Sequence, residues 1–140
     1  PITIAAMKRK TMQIANRYAD VWESSYLAPD QLAALNQKFE DLKSNSNKNG
    51  VGGKLIKKSI ELDVLIADSD YELERKKKIF VTERGPATAQ MIFKYGLVGK
   101  PSRVAERLKK YIDAGVEQFF LAFQDPFDSN ALELFTEVLR

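Results

Sequence analysis

Neither cysteine nor histidine occurs in the 140 residues, and tryptophan occurs once. The first absence excludes disulfides and thiolate metal ligands. The second excludes imidazole ligands and a histidine general base, and together they remove every Ser-His and Cys-His nucleophilic pair. No apolar run approaches the roughly 18 residues of a membrane span, and no charged-apolar-small signal opens the chain. From these absences we expect a cytoplasmic protein with no membrane partner and no metal site.

What is present describes a globular chain. With 44% hydrophobic and 29% charged residues, it can bury one core but hardly two, so a single domain over 1–140 is expected. Lys plus Arg at 22 against Asp plus Glu at 19 leaves a net charge of +3, which favours an anionic ligand without demanding nucleic acid.

The hydrophobic pattern alternates between two periods. Ile2 to Ala6 is β-branched and apolar and reads as a buried strand; Ile14, Ala15 and Tyr18 then recur at helical spacing, and Ala19 to Glu23 reads as a second strand. Pro29 and Asp30 open an amphipathic helix in which Leu32, Leu35, Phe39 and Leu42 step by three and four. Residues 44–53 are polar and glycine-rich and read as a flexible loop. Ile60, Leu62, Val64 and Ile66 mark a third strand, and Ser69 with Glu72 forms a capping box that starts a helix at Asp70. Thr82 to Pro86 ends that helix, and a further helical piece runs from Ala87 to Tyr95. Pro101 introduces a helix with an apolar face of Val104, Leu108, Tyr111 and Ile112, stopped by Gly115. Gln118 to Phe123 is continuously apolar and predicts a fourth, central strand; Asp128 or Ser129 then caps a last helix.

Strand followed by helix, four times over, predicts an α/β chain with a parallel sheet and right-handed crossovers. Two closures fit the pattern: an independent doubly wound sheet, or half of an eight-stranded (βα) barrel.

The turn after the first strand is the leading candidate site. A strand ending at Ala5-Ala6, followed by Met7 to Lys10 and a helix start, aims backbone N–H groups and the positive end of a helix dipole at one spot. Lys8, Arg9 and Lys10 add charge and Thr11 a hydroxyl, which together suit a phosphate; the plain alternative is a solvated basic helix start. Trp22 is expected at the C-terminal end of the second strand, either bordering a flavin ring or substrate or packing in the core or barrel rim, with Glu23 and Ser24 beside it. Glu61 and Asp63 share a strand face and Asp68 follows, a solvated set of carboxylates. Asp125, after the last strand, either contacts a ligand or belongs to a simple Asp-Pro turn; Arg103 opens a helix near where barrels bind phosphates or is a plain surface arginine; and Thr82 to Gly96 forms either a lid or a connecting helix. The basic clusters at 54–58, 75–78 and 107–110 lie near Glu72, Glu74 and Glu106 and lack interleaved aromatics, so nucleic acid is not an expected partner.

Three segments in order resemble the luciferase-like superfamily of flavin- or deazaflavin-dependent monooxygenases and reductases. They are Ile2 to Ala15 running on to the Arg17-Tyr18-Ala19-Asp20-Val21-Trp22 stretch, then Leu97-Val98-Gly99-Lys100-Pro101-Ser102-Arg103-Val104-Ala105-Glu106-Arg107-Leu108, then Ala114-Gly115-Val116-Glu117-Gln118-Phe119-Phe120-Leu121, followed by Leu132 to Arg140 as a C-terminal helix. The resemblance implies the C-terminal half of a TIM-type (βα)8 barrel, four parallel βα units, with FMN or a deazaflavin coenzyme as cofactor. It assigns the cofactor phosphate to Ala6, Met7, Lys10 and Thr11 and puts Trp22 beside the flavin ring or substrate, while Lys8 and Arg9 stand where relatives often have Gly and Pro. It identifies no catalytic residue. The implied partners are a flavin, a small-molecule substrate, and either a second copy of the chain or a missing N-terminal half, without which this half should be inactive. The reading from another class is a stand-alone, non-catalytic α/β binding or interaction domain.

Overall fold

Strands and helices alternate as the two hydrophobic periods require. The computed structural model describes residues 1–48, 54–123 and 128–140, which fall into two compact units.

Unit one comprises Pro1–Glu61 and Tyr111–Phe120. It holds β1 (Thr3–Ala5), α1 (Arg9–Tyr18), β2 (Val21–Ser25), α2 (Pro29–Lys48) and the first half of β3 (Lys57–Ile66). The strands are parallel, with Ile4 opposite Trp22 and Trp22 opposite Lys58. Successive residues of a strand point to opposite faces, so Ile4, Trp22, Lys58 and Ile60 share the face turned to the helices. Ile4 and Trp22 pack there with Met12 and Ala15 of α1, Phe39 of α2, and Ile56. Each large side chain so buried contributes on the order of 1.5–3 kcal/mol. Lys58 reaches Glu40 of α2 at 2.8 Å. The later stretch joins by backbone: the Glu117 N–H donates to Lys58 O at 2.9 Å and the Lys58 N–H to Glu117 Oε2 at 3.0 Å. Asn36 Nδ2 donates to Ala114 O at 2.6 Å and the Tyr111 hydroxyl to Leu27 O at 2.8 Å.

Unit two comprises Leu62–Lys110 and Leu121–Arg140. It completes β3 and adds α3 (Asp70–Arg84), α4 (Pro86–Tyr95), β4 (Leu97–Gly99), α5 (Pro101–Asp113) as far as Lys110, the end of β5 (Gln118–Phe123), and α6 (Ser129–Val138). The capping box forms as expected, Ser69 Oγ accepting from the Glu72 N–H at 3.3 Å. Gly85, at φ 81°, ends α3 in a conformation that costs a side chain dearly, and Pro86 starts α4 at once. Phe80, Ala89 and Ile92 form the core between the two helices. Gly96 is fixed by space: a Cβ there would lie 2.7 Å from the carbonyl oxygens of Asp63 and Ile92.

The strand order is β1-β2-β3 with β5 and the short β4 both pairing β3, so β1, β2, β3 and β5 form the parallel sheet of half a TIM-type barrel. Several expectations need correction. Ser44 to Lys48, expected as loop, continue α2; 49–53 lie outside the described residues. The second strand starts two residues later than expected, because Asp20 is engaged as an acceptor, taking the Ile2 N–H at 2.6 Å and Lys54 at 2.5 Å. The fourth predicted strand, β5, is not central: β3 is its one strand neighbour among the described residues, and it is at most half-buried along its length. Thr82 to Arg84 still belong to α3, so the break comes at Gly85, and α4 packs against α3 with Phe80 and Phe93 6.1 Å apart between ring centroids. Among the described residues no helix is long and apolar enough to cross a membrane.

Candidate functional site

The β1–α1 turn in unit one is built from below. Trp22 Nε1 donates to Ala6 O at 2.6 Å, and the Ala6 N–H donates to Glu23 O at 3.0 Å, so both polar groups of Ala6 are held by β2. Trp22 is itself immobile, 1% exposed and stacked on Phe39 with ring centroids 4.0 Å apart and planes 14° off parallel. Ala6 is buried, while Met7, Lys8, Arg9, Lys10 and Thr11 are all exposed. The chain therefore emerges from the core at Ala6 and enters the helix at Arg9.

The helix start is unfinished. Lys8 occupies the N-cap with φ −105° and ψ 149°, yet no side chain caps the helix and its first turn contains no acid. The first-turn N–H groups of an α-helix have no intrahelical acceptor, and here the positive end of the dipole is surrounded by Lys8, Arg9 and Lys10, the arrangement that helix electrostatics penalise unless an anion sits there. Thr11 turns its hydroxyl inward, donating to Lys8 O at 2.9 Å, which closes the turn. The structure thus brings Ala6, Met7, Lys10 and Thr11 to one turn.

Trp22 is placed differently from the expectation. It is the second residue of β2, not its last, and points into the helix-side core beneath the turn. No ring face is left for a flavin. Its contact with the candidate site is the bond to the Ala6 carbonyl.

On the opposite face of the same strands lies a feature the sequence reading did not connect. Glu23 faces away from the helices; burial raises its carboxyl above the ordinary glutamate range, and the negative charge of Glu61 raises it further. Glu61 had been paired with Asp63 along one strand, whereas its partner in charge is across the strand pair, where Glu23 stands opposite Ser59 and Ser25 opposite Glu61. Only the register reveals this, and register is not written in either strand alone.

Unit two contains a cleft of about 580 Å³, a size that suits a small molecule. Val64, Ile66, Phe80 and Phe123 give it an apolar floor, and α3 and the start of α6 give it charged walls. Of those charges, Glu72, Arg75, Lys76 and Asp128 are already matched. Arg75 holds Glu72 through two hydrogen bonds of 2.9 and 2.6 Å, and Lys76 binds Asp128 while donating to Ile66 O at 3.0 Å. Burial pushes the Asp128 carboxyl up, but the Lys76 ammonium and the Ala131 N–H at 3.0 Å outweigh it and hold it below the usual aspartate range. Among the remaining candidates, Asp68 is exposed, and Arg103 lays its exposed stem over Gly99. Asp125 lies outside the described residues.

No family profile matches the sequence, and no curated protein matches it. Its fold does match solved structures. An F420-dependent secondary alcohol dehydrogenase, in complex with an F420-acetone adduct, superposes with a TM-score of 0.74 at 16% identity, over 99% of this chain and 47% of that one. A riboflavin lyase, with modified FMN and substrate riboflavin, superposes with a TM-score of 0.73 at 13% identity, over 99% and 42%. A coenzyme F420 dependent tetrahydromethanopterin reductase from Methanopyrus kandleri gives 0.64 at 15% identity, over 96% and 48%. The chain spans about half the length of the structures it matches. The fold is that of half of a TIM-type barrel, which it shares with these structures.

Proposed function

We propose that this chain is the cofactor-phosphate-binding, C-terminal half of a flavin- or deazaflavin-dependent oxidoreductase of the luciferase-like kind, working in the cytoplasm on a small-molecule substrate. The observation that carries the reading is the uncapped, wholly basic start of α1, placed directly after β1. In barrels of this type ligands gather at the C-terminal ends of the strands, and an anion at a helix N-terminus takes both the free N–H groups and the dipole.

The residues present fit a phosphomonoester. Met7 and Lys10 lie at the mouth of the turn, Ala6 and Thr11 fix its backbone, and Lys8 and Arg9 supply charge without the glycine that would admit a phosphate closest to the chain. Trp22 and Phe39 hold this frame rigid from beneath. When bound, the flavin or deazaflavin ring would supply the hydride or oxygen chemistry, as cofactors generally do while the protein orients them.

The test compares ligands that differ by the phosphate. FMN and riboflavin are titrated separately into the chain and followed by flavin fluorescence, with Lys10→Ala and Thr11→Ala as variants. FMN should bind at least about tenfold more tightly than riboflavin, the difference shrinking in Lys10→Ala, since a charge-assisted contact is worth on the order of 1.5–3 kcal/mol. Equal affinity for the two ligands, or no change on substitution, would remove the reading and leave a binding domain without cofactor.

A further inference from the structure

Among the described residues, one residue other than glycine has a positive φ: Tyr26, at 52°. A bulky side chain there is an outlier, because its Cβ crowds the following carbonyl, whereas glycine takes the same backbone freely. Such strain persists where the surroundings over-determine it, and it collects at functional sites. Here both sides of Tyr26 are tethered. Before it, Ser25 is paired opposite Glu61 of β3, and Ser24 Oγ donates to Ser59 O at 3.3 Å. After it, Leu27 O accepts the Tyr111 hydroxyl at 2.8 Å, the Ala28 N–H donates to Gln31 Oε1 at 3.0 Å, and Pro29 starts α2. Tyr26 alone is left to turn the chain between them.

The turn changes where the side chain goes. Trp22 and Ser24 alternate onto the helix side of β2 and are buried. At φ 52° the Cα–Cβ bond of Tyr26 is swung out of that alternation, and the residue is 44% exposed. Its position matters as much as its exposure. β1 and β2 run parallel with Ala5 opposite Glu23, and the Ala6 N–H donates to Glu23 O, so the basic turn and Tyr26 leave neighbouring strands at the same end. With about 3.3 Å per residue and about 4.8 Å between strands, Tyr26 stands on the order of 10 Å from Ala6, a separation that a ribityl chain can bridge. Trp22, the other aromatic of this segment, is buried and stacked on Phe39.

We propose that Tyr26 is the ring-contacting residue of the site whose phosphate end is the β1–α1 turn: its aromatic face packs against the flat ring of the bound flavin or deazaflavin. The inference rests on the cofactor reading above and adds to it the residue that reading lacks once Trp22 is placed in the core. It also gives the strain a reason. Glycine would complete the turn but leave the cofactor ring without a wall, while tyrosine supplies a π face for offset stacking. Because its backbone is tethered on both sides, the residue has little freedom left to lose when the ligand arrives.

Two variants, Tyr26→Gly and Tyr26→Phe, test it, each unfolded in urea and each titrated separately with FMN and with riboflavin by flavin fluorescence. Tyr26→Gly keeps the backbone conformation without the ring. It should unfold at the parent midpoint or above it, and it should bind both probes about fivefold more weakly with the ratio of the two affinities unchanged. Tyr26→Phe, which keeps the ring, should bind both as the parent does. Lys10→Ala acts on FMN alone, so the two readings fail separately: loss of the FMN preference with the Tyr26→Gly effect intact removes the phosphate turn and leaves the ring contact. Parent-like binding of both probes by Tyr26→Gly would overturn the proposal, and so would an effect confined to FMN. A lowered urea midpoint for Tyr26→Gly would overturn it as well, because the side chain would then serve the fold. Binding of neither probe by the parent chain would remove both readings.

Discussion

The helix starts that follow strands in the two units are finished in opposite ways. In unit two, α3 is capped by Ser69 and α6 by Asp128, whose carboxylate accepts the Ala131 N–H and also binds Lys76. In unit one, α1 has no cap, no acid in its first turn and three consecutive basic residues leading into it. Capping contributes typically about 1 kcal/mol, and acids at a helix start a few tenths more. A helix start that forgoes both is less stable than its sequence neighbourhood would permit. The contrast teaches that the unit-two ends are closed by side chains of the chain itself, while the unit-one end leaves its donors without a side-chain cap.

The strongest way to break this contrast is to remove what lies beneath the unfinished turn. Trp22→Ala deletes the stack on Phe39 and the bond to the Ala6 carbonyl and should cost about 3–5 kcal/mol, read as a lowered midpoint in urea. A smaller loss, about 1–2 kcal/mol, is expected for Asp128→Asn, whose amide oxygen can still accept the Ala131 N–H but which strips Lys76 of its charged partner. The sign of its pH dependence follows from the lowered carboxyl. The stability that Asp128 contributes is fully present above the ordinary aspartate range and is lost as pH falls through the lowered value. Urea midpoints of parent and variant should therefore converge as the solution becomes strongly acidic and diverge near neutrality; parallel curves would remove the ion pair from the account. The smallest effect sharpens the comparison by finishing the unfinished end. Lys8 already has the extended backbone of an N-cap residue, so Lys8→Asp should stabilise the chain by about 1 kcal/mol while weakening FMN binding. A variant that is stabilised and binds FMN as before would show that the donors are not held for a phosphate.

The element order was legible in the sequence wherever one period dominated. Ser69 with Glu72 predicts the start of α3, Pro101 the start of α5, and the Val104, Leu108 and Tyr111 face is the face that is buried. The turn at Ala6 to Thr11 was legible because strand, basic run and helix are adjacent in the chain. Trp22 was not, because whether an aromatic borders a ligand or fills a core depends on strand register, which placed it opposite Ile4 and under α1. The pairing of Glu23 with Glu61 was hidden for the same reason. β5 misled in a more instructive way. Its continuous apolar run predicts burial on both faces, whereas among the described residues the strand is at most half-buried.

The bond from Trp22 to Ala6 has one more consequence. As the single tryptophan, this indole supplies the chain's tryptophan emission, and it is fastened to the backbone of the turn where an anion would dock. The protein thus carries a built-in optical reporter of that turn: a shift in its emission wavelength, or a change in its anisotropy, follows the Ala6 carbonyl without any label being attached.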